Sequence, residues 1–474
     1  MHPDEFRQHA HRLVDWMADY FANVAELPVT PALTPGEVMS ALPPSAPDAG
    51  EPFERLFQDF QSIIVPGMTH WNHPGWFAYF PGNNSPPSVL AEMLTATMGA
   101  QCMSWATSPA ATELEQVVMQ WLRQMIGLPD QFTGVIQDTA STATLVALLS
   151  ARERATGHAA GVRGLGDGGP RLTVYASDEA HSSVDKAVKL AGYGLEQLRR
   201  VPVDHAYAMV AEALAEAISR DLAEGCRPAC VVATVGTTSS TAVDPLERIA
   251  EVCRRHSVWL HLDAAYAGTA AIVPELRHYF SGMEQADSVV FNPHKWMLVN
   301  FDCSAYFVRD RETLLRTFQA APEYLRTLQD SQVVNFRDWG IQLGRRFRAL
   351  KVWFVIRSYG VEGLQSLVRT HVALAKELAG WIEAAEDFEL MAPVPFGLVC
   401  FRYRPRGMAD GSAVDQANQE LLHRVNSTRR VHLTQTRLGG HYVIRLVVGQ
   451  RQTGRSEVQD AWRLIQEAAV QLSS

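Results

Sequence analysis

The hydrophobic positions at the N-terminus follow a helical pattern over residues 4 to 24. Apolar residues recur there at steps of three and four: Phe6, Ala10, Leu13, Met17 and Phe21. The segment that follows, PVTPALTPGEVMSALPPSAPDAGEPF, is rich in proline, which predicts irregular structure. We expect the two segments to form an arm. The spacing alone leaves open whether the apolar stripe is buried on its own subunit or on another one.

From about residue 108 the pattern changes to short apolar runs separated by amphipathic helices. Ser108 and Pro109 fit the N-cap and the first turn of the first such helix. Further helical patterns occupy 207–224 and 245–256. The apolar runs are RLTVYAS, ACVVATVGTT, VWLHLDAAYAG, SVVFNPHKW and CSAYFVR. This alternation predicts an α/β fold with a mainly parallel sheet covered by helices on both faces.

Composition narrows the possible partners and the compartment. The formal net charge of −9 gives no electrostatic reason to bind nucleic acid or an anionic membrane. The N-terminus lacks the apolar core of a signal peptide, and no run of eighteen apolar residues occurs. The six cysteines lack paired metal-ligand spacing and indicate reduced thiols. We expect two or three domains in a cytoplasmic protein that binds neither nucleic acid nor membrane.

Polar side chains fall at the predicted carboxyl ends of the strands, where open α/β sheets bind ligands. They are His181, Thr237, Thr238, Asp263 and Lys295. Each has an ordinary structural explanation when taken alone, since a strand-end Asp often caps a helix and a strand-end Thr often stabilises a turn. Their gathering at one edge favours a ligand site.

Lys295 lies in the apolar run FNPHKWMLVNFDCS, where a buried amine needs a partner or a covalent bond. A lysine in an apolar pocket has a depressed pKa, and its neutral amine can form a Schiff base with the aldehyde of pyridoxal phosphate. Asp263 can keep the pyridinium nitrogen of that cofactor protonated, and His181 can supply a flat neighbour for the ring. The turn QDTAST precedes an apolar helix and offers hydroxyl and N–H groups to a phosphate at Thr139, Ala140 and Ser141.

Two other classes of protein compete with this interpretation. A metal hydrolase would bring together His261, Asp263 and His294. No two-ligand helix motif accompanies them, and Lys295 would repel a cation beside His294. A non-catalytic scaffold would have no need for charged groups at a strand edge. Both are less favoured than a pyridoxal phosphate enzyme.

Longer segments indicate a family. The chain resembles the aromatic-L-amino-acid decarboxylases, group II of the pyridoxal-phosphate-dependent decarboxylases, nearly from end to end. The segments that carry the resemblance include PGMTHWNHPGWFAYFP, WATSPAATELE, HSSVDKA, WLHLDAAYAG, FNPHKWMLVNFDCSA and VNSTRRVHL. The resemblance implies the fold-type I, aspartate aminotransferase-like architecture with a mainly parallel seven-stranded sheet. It also implies an N-terminal helical dimerisation arm at 1–85, a large cofactor-binding domain at 86–358 and a small C-terminal α+β domain at 359–474.

The resemblance further implies roles for individual residues. Lys295 would be the Schiff-base lysine, Asp263 the partner of the pyridinium nitrogen and His181 the ring-stacking residue. The catalytic acid would be Tyr324, on a loop. Phosphate-binding positions are Thr139, Ala140, Ser141, Asn292 and His294, and Thr238 and Ala265 lie next to the cofactor ring. The substrate-binding positions are Trp71, Tyr79, Phe80, Pro81, Gly82, Met103 and Gly344.

The implied activity is decarboxylation of an aromatic L-amino acid to an arylalkylamine and carbon dioxide, by a homodimer in which residues near Gln101 and Met103 reach the neighbouring site. The resemblance also implies a substrate preference, since plant relatives tend to have glycine at the position of Gly344 when they take indolic substrates and serine when they take phenolic ones. It therefore favours tryptophan or 5-hydroxytryptophan, for whose bicyclic ring a missing side chain would leave room; DOPA, tyrosine and phenylalanine remain candidates. The alternative is an aromatic aldehyde synthase, which couples decarboxylation to oxidative deamination and in plants commonly has phenylalanine where Tyr324 stands. Asp138 replaces a glycine of many relatives beside the predicted phosphate site.

Overall fold

The computed structural model describes residues 1–166, 168–319, 329–330, 332–408 and 411–473. Most of the helices that the sequence pattern predicts are present within a residue or two of the expected bounds. The helices are α1 (Pro3–Asn23), α2 (Glu37–Ala41), α3 (Phe53–Asp59), α4 (Pro86–Met98), α5 (Pro109–Ile126), α6 (Ala140–Ala155), α7 (Ala160–Arg163), α8 (Ser183–Leu190), α9 (Ala211–Ala223), α10 (Leu246–His256), α11 (Pro293–Trp296), α12 (Arg311–Phe318), α13 (Arg348–Glu383), α14 (Ser412–Ser427) and α15 (Arg455–Ser473).

The larger sheet has seven strands: β1 (Thr133–Gln137), β2 (Leu172–Ser177), β3 (Leu198–Val201), β4 (Arg227–Thr234), β5 (Trp259–Asp263), β6 (Ser288–Phe291) and β7 (Ser304–Val308). Their order in the sheet is β1-β7-β6-β5-β4-β2-β3. Only β7 runs against its neighbours, and the other pairs are parallel. The predicted α/β fold with a mainly parallel seven-stranded sheet is therefore confirmed.

Alternate residues of these strands enter two separate apolar clusters, one on each face of the sheet. On β4, for example, Val231 packs with the cluster that includes residues of α5, α9 and α10, whereas Val232 packs with the cluster that includes residues of α6 and α8. Strands buried on both faces need a near-continuous apolar sequence, which VVAT and its counterparts supply. The two helical layers leave the carboxyl ends of the strands as the open edge of the sheet.

A second, antiparallel sheet follows in the C-terminal region, with strands β8 (Phe388–Leu390), β9 (Leu398–Tyr403), β10 (Thr434–Leu438) and β11 (His441–Val447). Its order is β10-β11-β9-β8, and its apolar cluster includes residues of α14 and α15. The helical span α13 leads into this region and is broken at Gly360, whose φ of 65° and ψ of 170° are not helical. Glycine adopts a positive φ without steric cost, so the break falls where the chain tolerates it.

The N-terminal helix α1 presents its apolar stripe without burying a residue. Within the chain it contacts the segment around α3, where Trp16 meets the edge of the Phe60 ring and His9 stacks on Phe53. A second exposed apolar stripe runs along α4 at steps of four residues: Leu90, Leu94 and Met98. Of the helices in the described residues, none combines the length and apolarity needed to cross a membrane.

Candidate active site

All the residues predicted to contact the cofactor line one cavity of about 260 Å³ at the carboxyl edge of the larger sheet. They are Thr139, Ala140, Ser141, His181, Thr238, Asp263, Ala265, Asn292, His294 and Lys295. They come from the ends of several strands and from the turns that follow. The parallel arrangement brings these ends to the same edge, as the sequence analysis expected. Their placement together is observed, while their chemical roles stay predictions.

Lys295 lies on the short helix α11, and its Nζ is 5.3 Å from the centroid of the Phe80 ring. Burial lowers the pKa of Lys295 because the ammonium loses its hydration, and the nearby Asp263 carboxylate opposes that shift. Asp263 ends β5 and is 5% exposed, and its Oδ1 accepts a hydrogen bond from the Ala265 N–H at 3.0 Å. A buried amine whose pKa is lowered and a carboxylate oriented by a backbone N–H therefore occupy the same cavity.

His181 follows β2, and its ring orientation is set by Ser183. The Nδ1 of His181 accepts from the Ser183 N–H at 3.2 Å and lies 2.8 Å from the Ser183 hydroxyl. Burial lowers the pKa of His181, which the Asp263 carboxylate counteracts and Lys295 reinforces. The neutral ring therefore carries its proton on Nε2. Ser183 lines the cavity but was not predicted.

The N-terminus of α6 supplies the other end of the cavity. Thr139 is its N-cap and accepts from the Thr142 N–H at 3.3 Å, and the first intrahelical bond runs from the Ala143 N–H to the Thr139 carbonyl. The N–H groups of Ala140 and Ser141 precede that bond, so the helix itself does not satisfy them. Free N–H groups at a helix N-terminus suit an anion such as a phosphate.

Two further side chains add hydrogen-bond donors to this end. Asn292 accepts from the Ser304 hydroxyl through Oδ1 at 2.6 Å, which leaves its amide N–H groups for the cavity. His294 accepts from the Cys303 N–H through Nδ1 at 3.0 Å. Burial, helped by Lys295, lowers the pKa of His294 to about 4, so its neutral ring carries a proton on Nε2. The donors present fit a phosphate, and the other end of the cavity fits a pyridoxal ring.

The apolar wall of the cavity is a stack of aromatic rings. Phe80 lies parallel to Tyr266 at 3.9 Å between ring centroids, and Tyr266 lies parallel to Trp296 at 4.7 Å. Phe80 was predicted as a substrate contact, whereas Tyr266, Thr234 and Gly236 were not predicted although they line the same cavity. Tyr266 follows Asp263 in LHLDAAYAG, so its proximity to the strand end was the available signal.

Arg445 lies behind this wall and was not predicted from the sequence. It lies on β11 with 3% exposure, and its guanidinium is 5.5 Å from the Phe80 ring centroid. The guanidinium donates to the carbonyls of Thr238 at 2.7 Å, Ser239 at 3.2 Å and Tyr79 at 3.4 Å, and to the Thr434 hydroxyl at 2.8 Å. Arg445 therefore joins the C-terminal sheet to two segments that shape the cavity.

The other predicted substrate residues lie outside the cavity lining. Trp71 stacks on Tyr79 with ring centroids 5.7 Å apart, and a Cβ added to Gly82 would lie 3.2 Å from the Trp71 ring. Pro81 packs against Gly449 in the same region. Met103 and Gly344 lie in two segments that are joined by hydrogen bonds. Oε1 of Gln101 accepts from the N–H of Arg345, the residue after Gly344, at 2.8 Å. The Met103 carbonyl accepts from the Arg337 N–H at 2.8 Å. Tyr324 lies outside the described residues.

The three residues of the metal hydrolase alternative, His261, Asp263 and His294, each have other hydrogen-bond partners. The His261 ring has Nδ1 2.9 Å from the Ser288 hydroxyl and Nε2 3.4 Å from the Thr144 hydroxyl, and burial lowers its pKa to about 4. In the described part of the chain, the ligand atoms close enough to share an ion belong to Asp221, Glu224 and Cys226, a group that contains none of the three predicted ligands. The geometry does not support the metal hydrolase alternative.

Comparison with known proteins gives close relatives along almost the whole chain. Tyrosine decarboxylase 2 of Narcissus pseudonarcissus is 44% identical and covers 99% of this chain and 95% of its own length. Aromatic-L-amino-acid decarboxylase of Sus scrofa is 44% identical, with 100% and 98% covered. Phenylacetaldehyde synthase of Arabidopsis thaliana is 42% identical, with 99% and 95% covered.

The fold and the family agree with these relatives. The crystal structure of Oryza sativa TDC with PLP and tryptamine superposes with a TM-score of 0.97 at 38% identity, covering 100% of this chain and 99% of that one. Residues 35–404 match the family described as the pyridoxal-dependent decarboxylase conserved domain. The expected family and its cofactor are thereby confirmed. The chain belongs to the pyridoxal-dependent decarboxylase family, and is a carboxy-lyase of the aromatic-L-amino-acid decarboxylase type that uses pyridoxal phosphate.

Proposed function

We propose that this enzyme converts an aromatic L-amino acid to the corresponding arylalkylamine and carbon dioxide. The observation that carries the proposal is the single cavity that unites Lys295, Asp263 and His181 with the N-terminus of α6. Pyridoxal phosphate supplies an electron sink there when bound. The groups that this chemistry needs are an amine with a lowered pKa, a carboxylate, a flat ring and phosphate donors, and side chains or backbone groups of each kind line the cavity.

We assign each side chain a task from its contacts. Lys295 would supply the amine that holds the cofactor. Asp263 holds a proton at the ring nitrogen of the cofactor, since its carboxylate is already oriented by the Ala265 N–H. Phe80 and Tyr266 form an apolar wall that excludes water from the substrate carboxylate, so the charged group is less stable there than the carbon dioxide it becomes.

We propose that tryptophan or 5-hydroxytryptophan is used at least as well as tyrosine, and histidine poorly. The support is Gly344, together with the tryptamine in the related Oryza sativa structure. A Cβ at position 344 would lie 3.2 Å from Nε2 of Gln101, a tight contact that the end of the Gln101 side chain would relieve by shifting a few tenths of an ångström. The test is kcat/KM for each amino acid in wild type and Gly344→Ser. A tenfold preference for tyrosine over tryptophan in the wild type would reverse the assignment.

We propose the amine, and not the aldehyde, as the main product. The predicted proton donor to Cα is Tyr324, because rapid protonation there prevents reaction with oxygen. The competing function is an aldehyde synthase, which the relative from Arabidopsis thaliana makes a specific candidate.

The experiment is incubation of the holoenzyme with a panel of aromatic amino acids, with products identified by mass and oxygen consumption recorded. Wild type should release amine and carbon dioxide without consuming oxygen. Tyr324→Phe should shift the products toward aldehyde, ammonia and peroxide. Oxygen consumed in step with substrate by the wild type would favour the aldehyde synthase.

We further propose a cytoplasmic homodimer with the arm, large domain and small domain divided as the sequence predicts. The support for the dimer is the exposed apolar stripe of α4, together with the stripe of α1 that the chain buries only in part, since contiguous exposed apolar side chains mark association surfaces.

A further inference from the structure

We propose that Asp138 and Gln342 form a latch that controls how firmly the enzyme holds the phosphate of its cofactor. The inference rests on the placement of the phosphate at the N-terminus of α6 proposed above. It concerns a carboxylate that stands next to this site and has no assigned function.

Both oxygens of the Asp138 carboxylate have partners. Oδ1 accepts from the Thr139 N–H at 2.6 Å, and Oδ2 accepts from the Gln342 side-chain amide at 2.7 Å. The side chain is half-buried and does not line the cavity, although Thr139 does. Oδ1 also accepts from the Thr139 hydroxyl at 3.3 Å, so three hydrogen bonds set the direction of the carboxylate, and that from Gln342 is the only one of the three that comes from outside its own turn.

The direction of the Asp138 carboxylate affects its electrostatic repulsion of the phosphate. A phosphate at the α6 N-terminus carries negative charge, so a carboxylate on the residue before the N-cap repels it. The bond to Oδ1 also occupies the Thr139 N–H, a donor that would otherwise be available near the helix start. Gln342 is neutral, so it fixes the direction of the carboxylate without cancelling the charge.

Gln342 belongs to a segment that is tied to the end of β1 at further points. Gln137 donates from its amide to the Trp339 carbonyl at 3.3 Å, and Arg345 donates to the Ile136 carbonyl at 2.8 Å. The contact between Asp138 and Gln342 therefore couples the phosphate end of the cavity to the segment 339–345. Breaking it frees the carboxylate to turn toward the phosphate.

The experiment measures the rate of pyridoxal phosphate dissociation from four holoenzymes: wild type, Gln342→Leu, Asp138→Asn and the double variant. Gln342→Leu should raise the dissociation rate about threefold to tenfold. It keeps the negative charge of Asp138 and removes the hydrogen bond from Gln342 that restrains the direction of the carboxylate. Asp138→Asn should lower the rate, since the amide keeps both hydrogen bonds after a flip of the Gln342 amide and carries no charge. In the Asp138→Asn background, Gln342→Leu should have little effect.

Two controls separate the latch from general damage. Gln435→Leu, on the exposed side of β10, removes a glutamine far from the cavity and should leave the rate unchanged. The unfolding temperature of each apoenzyme should match that of the wild type. An unchanged rate in Gln342→Leu, or an equal rise in both backgrounds, would overturn the latch. Failure of the phosphate placement would show differently, as unaltered cofactor affinity in Ser141→Asp, which puts a negative charge in the first turn of α6.

Discussion

At the scale of single residues, burial in the cavity favours the reactive, uncharged form of Lys295, as its proposed role requires. Its ammonium faces the Phe80 ring and loses hydration, which lowers its pKa, while Asp263 keeps the shift within limits. An exposed lysine would remain charged at neutral pH and would be a poor nucleophile. The proposed role of Lys295 as the amine that holds the cofactor therefore depends on the apolar wall around it.

Borohydride reduction of the holoenzyme should leave a pyridoxyl group on Lys295, which peptide mapping by mass can locate. Asp263→Ala should keep part of the cofactor and lower kcat about a hundredfold or more, because the ring nitrogen loses its proton partner. A pyridoxyl group on a different lysine would refute the first assignment. Near-normal turnover of the Asp263→Ala holoenzyme would refute the second.

Arg445 acts on the cavity through the residues it holds. Replacing it in Arg445→Met would leave the carbonyls of Thr238, Ser239 and Tyr79 without this donor, so the two segments would no longer be held to the C-terminal sheet by these bonds. We expect kcat/KM to fall about tenfold or more, with an altered absorption spectrum of the bound cofactor and partial rescue in Arg445→Lys. Arg404→Met, at a more exposed arginine, is the control. An unchanged spectrum and kcat/KM would show that Arg445 does not position the wall.

At the scale of elements, the aromatic stack links α11 to α13. Trp296 donates through Nε1 to Nδ1 of His371 at 2.9 Å, and the two rings are nearly parallel. Burial lowers the pKa of His371 to about 4, so this histidine stays neutral in the folded enzyme at pH values where the unfolded chain binds a proton. His261 and His294 behave in the same way.

The sign of the pH dependence follows from these shifts. Between about pH 6.5, where an unfolded histidine titrates, and pH 4, the unfolded chain binds more protons, so the free energy of unfolding falls as pH falls. Each such histidine contributes a slope of up to about 1.4 kcal/mol per pH unit. His371→Asn keeps an acceptor for Trp296 and cannot titrate, so its denaturant unfolding should show a shallower decline over this window. Equal slopes would contradict the buried neutral histidine.

At the scale of the whole molecule, one chain leaves an apolar stripe exposed on α4 and another only partly buried on α1. Leu90, Leu94 and Met98 are 51%, 49% and 58% exposed and share one face of α4. In the proposed homodimer these faces are buried between subunits, and the completed site depends on association.

Leu94→Glu should weaken or abolish the dimer, because it places a charge in an apolar interface, and activity should fall in parallel. Sedimentation velocity at several concentrations measures the association. Leu190→Glu is a matched control, since Leu190 is 72% exposed at the end of α8, away from the stripe. A Leu94→Glu enzyme that remains as dimeric as the control would exclude α4 from the interface.

The sequence by itself determined the elements and the placement of chemistry at their ends. Periodic apolar positions are local, so α5, α10 and the strand preceding Asp263 could be read directly. In a parallel sheet the strand ends meet at one edge, which is why His181, Asp263 and Lys295 were expected together. The family resemblance added the cofactor positions within the turns.

Only the tertiary structure decided which distant groups complete the site. Arg445 and His371 lie far along the chain from Thr238 and Trp296, their hydrogen-bond partners. The apolar pattern of a strand or helix does not indicate which distant element will pack against it. The direction of the Asp138 carboxylate depends on Gln342, a contact across 204 positions that local sequence cannot predict. Local periodicity specifies elements, whereas side-chain partners follow from how those elements pack.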